Sequence, residues 1–162
     1  MIHLIVGNTG SGKTTYANTL KKEIDGIVFS IDKWNNSLFI PDKQEEDGLQ
    51  WFLERIERSE SLIMGLIEQL ENIGADSILD LGLSKFAHRE KFRKFAKDHS
   101  FEIKMHFLDV SKDIRLSRVM ERNGAKGDTF EFEVTQENFD FMENWFEKPT
   151  GSELENGIIT QE

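Results

Sequence analysis

The chain has 162 residues, of which 38% are hydrophobic and 31% charged, a composition typical of a soluble globular domain. It contains no cysteine, which excludes disulfide scaffolds and thiolate zinc sites, and no apolar run approaches the ~20 residues of a membrane span. An apolar run starts at the second residue and leaves no room for a signal peptide. We therefore expect a single domain over residues 1–162, located in the cytoplasm and without a membrane partner.

The net charge of −10 is distributed unevenly along the chain. Residues 127–162, called the acidic segment below, hold 10 acidic residues and one lysine, which gives them a net charge of −9. A field of that sign repels polyanions and argues against nucleic acid as a partner. The alternative is a solvated acidic face that only aids solubility.

Apolar runs and helical patterns alternate along the chain. The first run, Ile2–Val6, precedes a predicted helix over Lys13–Ile24, and further strands are predicted at 27–31, 77–81, 102–108 and 157–160. Between them, apolar residues three and four apart predict helices, the longest from Leu49 to Leu70. This alternation predicts an α/β fold with a parallel sheet between helices, and ligands beyond the carboxyl ends of the strands. The polar, glycine-containing stretch from Asn123 is the candidate for a lid, over about residues 123–134.

A phosphate-binding motif follows the first predicted strand. Residues 7–14 read Gly-Asn-Thr-Gly-Ser-Gly-Lys-Thr, match G-x-x-x-x-G-K-[ST], and open a predicted helix as that motif requires. In such a loop the backbone amides close around phosphate oxygens, Lys13 reaches the β- and γ-phosphates, and the Thr14 hydroxyl can ligate Mg²⁺. The sequence therefore predicts that ATP binds here with Mg²⁺. The predicted nucleotide-binding residues are Gly7, Asn8, Thr9, Gly10, Ser11, Gly12, Lys13, Thr14 and Thr15.

Two carboxylates follow predicted strands. Asp32 comes directly after the second strand, where it can accept a proton from a substrate hydroxyl or hold Mg²⁺; alternatively, it caps the helix that follows. Asp80 stands near the end of the third strand, the usual place of a carboxylate that acts on the metal through water, although packing or capping is an equal alternative. Leu81 follows it where a motor ATPase has a glutamate, and no Asn-Lys-x-Asp tetrad that reads guanine occurs. Both absences disfavour nucleotide hydrolysis as the main task.

Three arginines recur at helical spacing before the candidate lid. Arg115, Arg118 and Arg122 share one side of a predicted helix. A closing lid can bring guanidinium groups over the phosphates, where they stabilise charge on a transferring phosphoryl group. The alternative is a solvated positive face, which we expect above all for Arg115.

Other residue types give weaker signals. Four aromatic residues after Asp32 could form the wall of an acceptor site, although aromatic residues more often belong to the core. These residues are Trp34, Phe39, Trp51 and Phe52. The 4 histidines lack the spacing of a helical metal pair, and we expect no chemistry from them.

The chain resembles the P-loop small-molecule kinases that include chloramphenicol phosphotransferase, zeta toxins and the kinase half of polynucleotide kinase. More closely, it looks like stand-alone bacterial proteins labelled AAA family ATPase or predicted kinase. The similarity covers nearly the whole chain, through residues 29–34, 79–83, 108–110, 118–123, 132–135 and 139–143. Only the phosphate-binding motif is specific by itself.

This resemblance implies a P-loop NTPase sandwich with a five-stranded parallel sheet of order 2-3-1-4-5. It also implies that Asp32 is the acceptor base or a metal ligand and that Arg118 and Arg122 are lid cations. One position departs from the family, because Asn35 stands where related kinases commonly have an arginine that holds the acceptor. The departure argues against a phosphorylated or polyanionic acceptor.

These observations predict a kinase that moves the γ-phosphate of ATP to a hydroxyl of a small, uncharged or cationic molecule. Its catalytic residues would be Lys13, Asp32, Arg118 and Arg122, and its metal ligands Thr14, Asp32 and Asp80. One alternative is a polynucleotide or nucleoside 5′-hydroxyl kinase. Another is a nucleotide-dependent ATPase switch that binds a protein partner through the acidic segment.

Overall fold

The computed structural model describes residues 1–127, 130 and 133–162. The described strands are β1 (Ile2–Val6), β2 (Ile27–Ser30), β3 (Ser77–Asp80), β4 (Ile103–Asp109) and β5 (Ile158–Gln161). The described α-helices are α1 (Lys13–Ile24), α2 (Ile31–Leu38), α3 (Leu49–Asn72), α4 (Phe86–His99), α5 (Lys112–Ala125) and α6 (Gln136–Trp145). Short 3₁₀ helices lie at Ile40–Asp42 and Gly151–Glu153. None of the described helices combines the length and the apolar character that a bilayer span needs.

The five strands form one parallel sheet in the order β2-β3-β1-β4-β5, which confirms the predicted fold class and strand order. All five residues of β1 are buried, as expected for a central strand with helices on both faces. Strand β3 lies on one side of β1 and β4 on the other, so the connections after β1 and β3 lead to opposite sides. Where two connections lead away to opposite sides in this way, a crevice forms at the carboxyl ends of the strands.

Two hydrophobic clusters cover the two faces of the sheet. On one face, α3 and α4 contribute Ile63, Ile67 and Phe92 to a cluster with the side chains of Leu4 and Leu79. On the other face, α1 packs Ala17 and Leu20 against Ile5, Ile78 and Leu108. A third, smaller cluster of Val119, Val134 and Phe139 joins α5 to α6. The helix that follows the phosphate-binding motif is therefore held directly on the central strand.

The predicted boundaries differ from the structure mainly at strand ends. The second strand stops at Ser30, because Ile31 already begins α2. The fourth and fifth strands begin and end one residue later than predicted. Of the candidate lid over 123–134, residues 123–125 complete α5, while 128, 129, 131 and 132 lie outside the described residues. The Asn123 side chain holds the other end of this stretch, since it donates to the Val134 carbonyl oxygen at 2.8 Å.

The acidic segment lies against basic side chains of the preceding part of the chain. Ion pairs among the described residues are Glu143–Arg115 at 2.6 Å, Glu153–Arg89 at 2.6 Å, Glu147–Lys85 at 3.1 Å, Asp140–Lys112 at 3.4 Å, and Glu162–Arg118. The Arg89–Glu153 pair is buried. Much of the negative charge of this segment is thus paired within the molecule and is not one separate acidic face.

Candidate active site

The phosphate-binding loop connects β1 to α1. Gly10 and Gly12 have φ angles of 82° and 89°, in the left-handed region that side-chain-bearing residues rarely adopt. A Cβ at Gly10 would also lie 2.5 Å from the carbonyl oxygen of Arg115. Gly12 is the N-cap of α1, so the first amides of that helix face the loop. The loop therefore presents amide donors and the positive end of the helix dipole to a ligand, an arrangement suited to phosphate.

A cleft of about 920 Å³ opens above this loop, at the carboxyl ends of the strands. Its volume is in the range of small-molecule sites. The cleft gathers most of the predicted site residues: Thr9, Gly10, Ser11, Gly12, Lys13, Thr14, Thr15, Asp32, Asp80, Arg118 and Arg122. Gly7 and Asn8 belong to the loop but do not line the cleft.

Thr14 and Asp80 meet at the bottom of the cleft. The Thr14 hydroxyl donates a hydrogen bond of 2.8 Å to Asp80 Oδ2, and Asp80 is 6% exposed at the end of β3. Both groups offer the hard oxygen atoms that Mg²⁺ prefers. The described residues contain no cluster of three His, Cys, Asp or Glu side chains that could hold a metal ion. Mg²⁺ fits such a sparse site, because it takes its remaining ligands from water and substrate phosphates.

Lys13 lies between opposite charges. Its Nζ donates to the Asn8 carbonyl oxygen at 3.3 Å, which points the ammonium back along the loop. Burial lowers the pKa of Lys13, the carboxylates of Asp80 and Asp32 raise it, and the guanidinium groups of Arg115 and Arg122 lower it further. Both predicted carboxylates are therefore close enough to act on the lysine that would contact the β- and γ-phosphates.

Asp32 lies in the first turn of α2, and Ser30 occupies the N-cap position of that helix. The structure thus does not place Asp32 as the helix cap, which was the alternative role considered for it. The side chain is exposed and lines the cleft. Ser30, two residues before Asp32, pairs with Asp80 in the β2–β3 register. A carboxylate here can reach a hydroxyl or a metal ion that enters the cleft.

The three arginines of α5 have different environments. Arg118 and Arg122 line the cleft, and Arg118 pairs with Glu162. The Nε of Arg122 is buried without a hydrogen-bond partner among the described residues. A buried donor of this kind usually has a partner, and a bound anion would supply one.

The prediction of a solvated Arg115 is wrong. Arg115 is 6% exposed, and it donates to the Val110 carbonyl oxygen at 2.9 Å and to Glu143 Oε1 at 2.6 Å. Helical spacing placed Arg115 beside the other two arginines, but it carried no information about the packing of α6 on this face. Glu143 was also missed, because a carboxylate within an acidic segment is expected to be solvated when the packing of α6 is unknown.

A hydrogen-bonded chain of side chains lies between the sheet and α1. Tyr16 contacts His106 Nδ1 at 2.8 Å, His106 Nε2 contacts His3 Nδ1 at 2.9 Å, and His3 Nε2 contacts Asp76 at 3.4 Å. The Asp76 carboxylate can only accept a hydrogen bond, which sets the direction of the chain when both imidazoles are neutral. The Tyr16 hydroxyl then donates to His106, His106 donates to His3, and His3 donates to Asp76. Burial, His3 and Lys104 lower the pKa of His106 to about 4. No pattern in the sequence indicated this cluster.

The wall of the cleft on the α6 side includes Phe141 and Met142, with Gly82 and Ser84 on the loop after β3. The aromatic residues proposed from sequence do not line the cleft. Trp34 packs edge-on against Phe29 at 6.1 Å. Trp51 and Phe52 form an edge-to-face pair at 5.1 Å. The core alternative is correct for Trp34. The aromatic residues that line the cleft, Tyr16 and Phe141, come from other parts of the chain.

Solved structures of kinases and nucleotide-bound proteins share this fold. The chain is similar to Kti12 of Chaetomium thermophilum in complex with ADP-AlF3, at 13% identity and a TM-score of 0.73, with 99% of this chain and 89% of that chain covered. It is also similar to the APS kinase CysC of Mycobacterium tuberculosis in complex with AMPPNP and APS, at 16% identity, a TM-score of 0.66 and coverage of 99% and 87%. A sugar kinase from Janibacter sp. HTCC2649 matches at 17% identity, a TM-score of 0.64 and coverage of 99% and 84%.

No curated protein matches the sequence. Residues 2–149 match the family described as AAA domain. This match spans the phosphate-binding loop, Asp32 and Asp80 of the cleft, and the arginines of α5. It agrees with the resemblance to P-loop kinases that the sequence motifs carry, and the chain belongs to this AAA domain family of P-loop proteins.

Proposed function

We propose that the protein is an ATP-dependent kinase that transfers the γ-phosphate of ATP to a hydroxyl group of a small, uncharged or cationic molecule. The observation that carries this proposal is the presence of Asp32 in the same cleft as Lys13 and the Thr14–Asp80 pair. The Asp32 carboxylate can accept a proton, and Lys13 and the Thr14–Asp80 pair can bind a triphosphate and its metal ion. All of them lie at the edge of the sheet where such ligands bind.

The phosphate loop would hold the triphosphate. Amides of the loop and of the α1 N-terminus would donate to phosphate oxygens, while Lys13 would neutralise charge on the β- and γ-phosphates. Thr14 and Asp80 would hold Mg²⁺, Asp80 through water. The ion would supply positive charge that compensates the negative charge of the phosphates.

The acceptor would react in the part of the cleft near Asp32. An acceptor hydroxyl oxygen forms a bond to the γ-phosphorus, the bond from that phosphorus to the oxygen of ADP breaks, and the hydroxyl proton passes to the Asp32 carboxylate. Arg118 and Arg122 stabilise the charge on the transferring phosphoryl group. The alternative role of Asp32 is that of a metal ligand, which would place the acceptor without taking its proton.

The cleft wall supports a neutral or cationic acceptor. Phe141, Met142, Gly82 and Ser84 carry no charge, and they lie on the wall formed by α6 and the loop after β3. Asn35 stands where the kinases that this chain resembles commonly have an arginine that holds the acceptor, which argues against an anionic acceptor. One structural neighbour is named a sugar kinase and another an APS kinase in complex with AMPPNP and APS, so the names of proteins with this fold point to different substrates.

The substitution Asp32→Asn tests the proposal. It preserves size but removes basicity and charge, so we expect turnover to fall by roughly 10² to 10⁴, the range for loss of a general base. ATP affinity should change by no more than about threefold, because ground-state phosphate contacts remain. The assay measures ATP consumption in the presence of pooled nucleosides, sugars and hydroxylated antibiotics, with calorimetry for affinity. Asp42→Asn, a carboxylate outside the cleft, is the matched control. Unchanged turnover in the Asp32 variant would exclude it as the base.

The alternatives give different results in the same assays. A polynucleotide kinase should bind single-stranded DNA tightly, with the steep salt dependence of phosphate contacts, and should use it as the acceptor. A nucleotide-dependent switch should hydrolyse ATP slowly whatever small molecule is added. The ion pairs of the acidic segment weaken the case for a protein partner there, because they consume much of the charge that would attract it.

A further inference from the structure

A partly buried polar network of α5 and α6 side chains contacts the tip of the phosphate loop, residues 8 and 9. Asn8 Nδ2 donates to Glu143 Oε1 at 2.5 Å, and the Asn8 side-chain oxygen accepts from the Thr9 amide at 2.7 Å. Arg115 Nη1 donates to the same Glu143 oxygen at 2.6 Å and to the Thr9 carbonyl oxygen at 3.2 Å. Residues 8 and 9 of the loop are thus tied to both α5 and α6.

Glu143 is the centre of this network. Its Oε1 is shared by the Asn8 amide and the Arg115 guanidinium, and its side chain is 20% exposed. The Arg115 side chain is 7% exposed, so removal of Glu143 would leave a nearly buried cation without its carboxylate. The Asn8 amide would lose its acceptor at the same time. Both losses act on the loop tip.

The conformation of the tip determines where the loop amides point. The Ser11 amide donates to the Asn8 carbonyl oxygen at 3.1 Å, and Lys13 Nζ contacts the same oxygen. Gly10 lies directly against the Arg115 backbone. A rotation of the Asn8 peptide would therefore move the amides and the lysine that face the triphosphate.

We propose that Glu143 is a positioning residue for the phosphate loop, which it holds through Asn8 and Arg115 in the conformation that receives a triphosphate. This inference rests on the proposed function in one respect, namely that the ligand of the loop is ATP. The same helix presents Phe141 and Met142 to the cleft. Glu143 therefore also connects the loop that receives ATP with the wall that faces the acceptor.

The test is ATP affinity, measured by calorimetry with Mg²⁺ well below the melting temperature of each variant. We expect Glu143→Ala to weaken ATP binding roughly tenfold, since hydrogen bonds to charged groups contribute on that scale. Glu143→Gln keeps an oxygen acceptor for Asn8 and should recover part of the affinity. It also serves if the alanine variant does not fold. Asp140→Ala is the control, because it breaks an exposed cross-helix pair with Lys112 on the same helices. The ATP affinity of Asp140→Ala should lie within about twofold of the parental value, because an exposed ion pair contributes little.

A double-mutant cycle separates positioning from general stability. If Glu143 acts through Asn8, the effects of Asn8→Ala and Glu143→Ala on ATP affinity will be strongly non-additive. A lower melting temperature with parental ATP affinity in both Glu143 variants would overturn the proposal. Parental protein that binds no ATP would instead refute the proposed function, so the two failures are distinguishable.

Discussion

His106 should make the stability of the protein depend on pH. The side chain is 2% exposed, and its pKa is lowered from 6.5 to about 4 by burial, His3 and Lys104. The groups that face it directly are His3 and the Tyr16 hydroxyl. In the unfolded chain the imidazole returns to its ordinary pKa. Between the two values the unfolded state binds more protons, so the free energy of unfolding decreases as the pH falls through this window.

The size of the effect follows from the two pKa values. The gap between 6.5 and about 4 corresponds to about 3 kcal/mol, which is lost in full only when the pH is below both values. About 2 kcal/mol of this should be lost between roughly pH 7 and roughly pH 5. Such a loss is a large fraction of the stability of an ordinary domain.

Urea unfolding followed by tryptophan fluorescence measures this loss. We expect His106→Gln to be less stable than the parent at neutral pH, because the hydrogen bonds with His3 and Tyr16 are weakened. On acidification, the free energy of unfolding of His106→Gln should fall by about 2 kcal/mol less than that of the parent. His99→Gln, at a histidine with 40% side-chain exposure on α4, should keep the parental pH dependence. Equal acid sensitivity of the parent and His106→Gln would refute the reasoning.

Three further predictions concern the cleft. Lys13→Ala should abolish turnover and strongly weaken ATP binding, because the ammonium compensates phosphate charge. Circular dichroism should stay parental, because Lys13 belongs to none of the hydrophobic clusters; parental ATP affinity in calorimetry would remove the role assigned to the loop. Arg118→Ala and Arg122→Ala should lower kcat more than ATP affinity in steady-state and binding measurements, because these cations act on charge at the transferring group; intact turnover would leave them as surface charge. Gly10→Ala should lower the melting temperature, because a left-handed alanine costs about 1–2 kcal/mol and its Cβ would lie 2.5 Å from the Arg115 carbonyl oxygen; an unchanged melting temperature would contradict the observed loop geometry.

The phosphate loop and the sheet could be predicted because their signals are local. A buried strand, a glycine-rich loop and a helix follow one another within residues 2–24, and α1 has the predicted bounds. The position of Asp32 at the same edge of the sheet as the loop followed from the predicted parallel sheet, since the carboxyl ends of parallel strands share one edge. The one-residue error at β2 arose because Ile31, although buried, belongs to a helix and not to the strand.

The supporting contacts could not be predicted, because they join residues far apart in sequence. Asn8 and Glu143 are separated by 135 positions, and His3 and His106 by 103. The His3–His106 contact depends on the β1–β4 register, which periodicity does not determine. The Glu143 contacts depend on the packing of α6 against α5. Without that packing, a carboxylate in an acidic segment and an arginine at helical spacing both resemble solvated charges.

The ion pairs of the acidic segment can form only after the last part of the chain has been synthesised. Residues 1–126 leave the ribosome first, and domains begin to form from the N-terminal side during synthesis. Until the last part of the chain docks, several cations of this early part lack the carboxylates that pair with them in the folded protein. They are Lys85, Arg89, Lys112, Arg115 and Arg118. Residues 1–126 hold 19 basic and 20 acidic residues, so this part of the chain is nearly neutral before docking, and the ion pairs of the folded protein are completed only when its C-terminal carboxylates arrive.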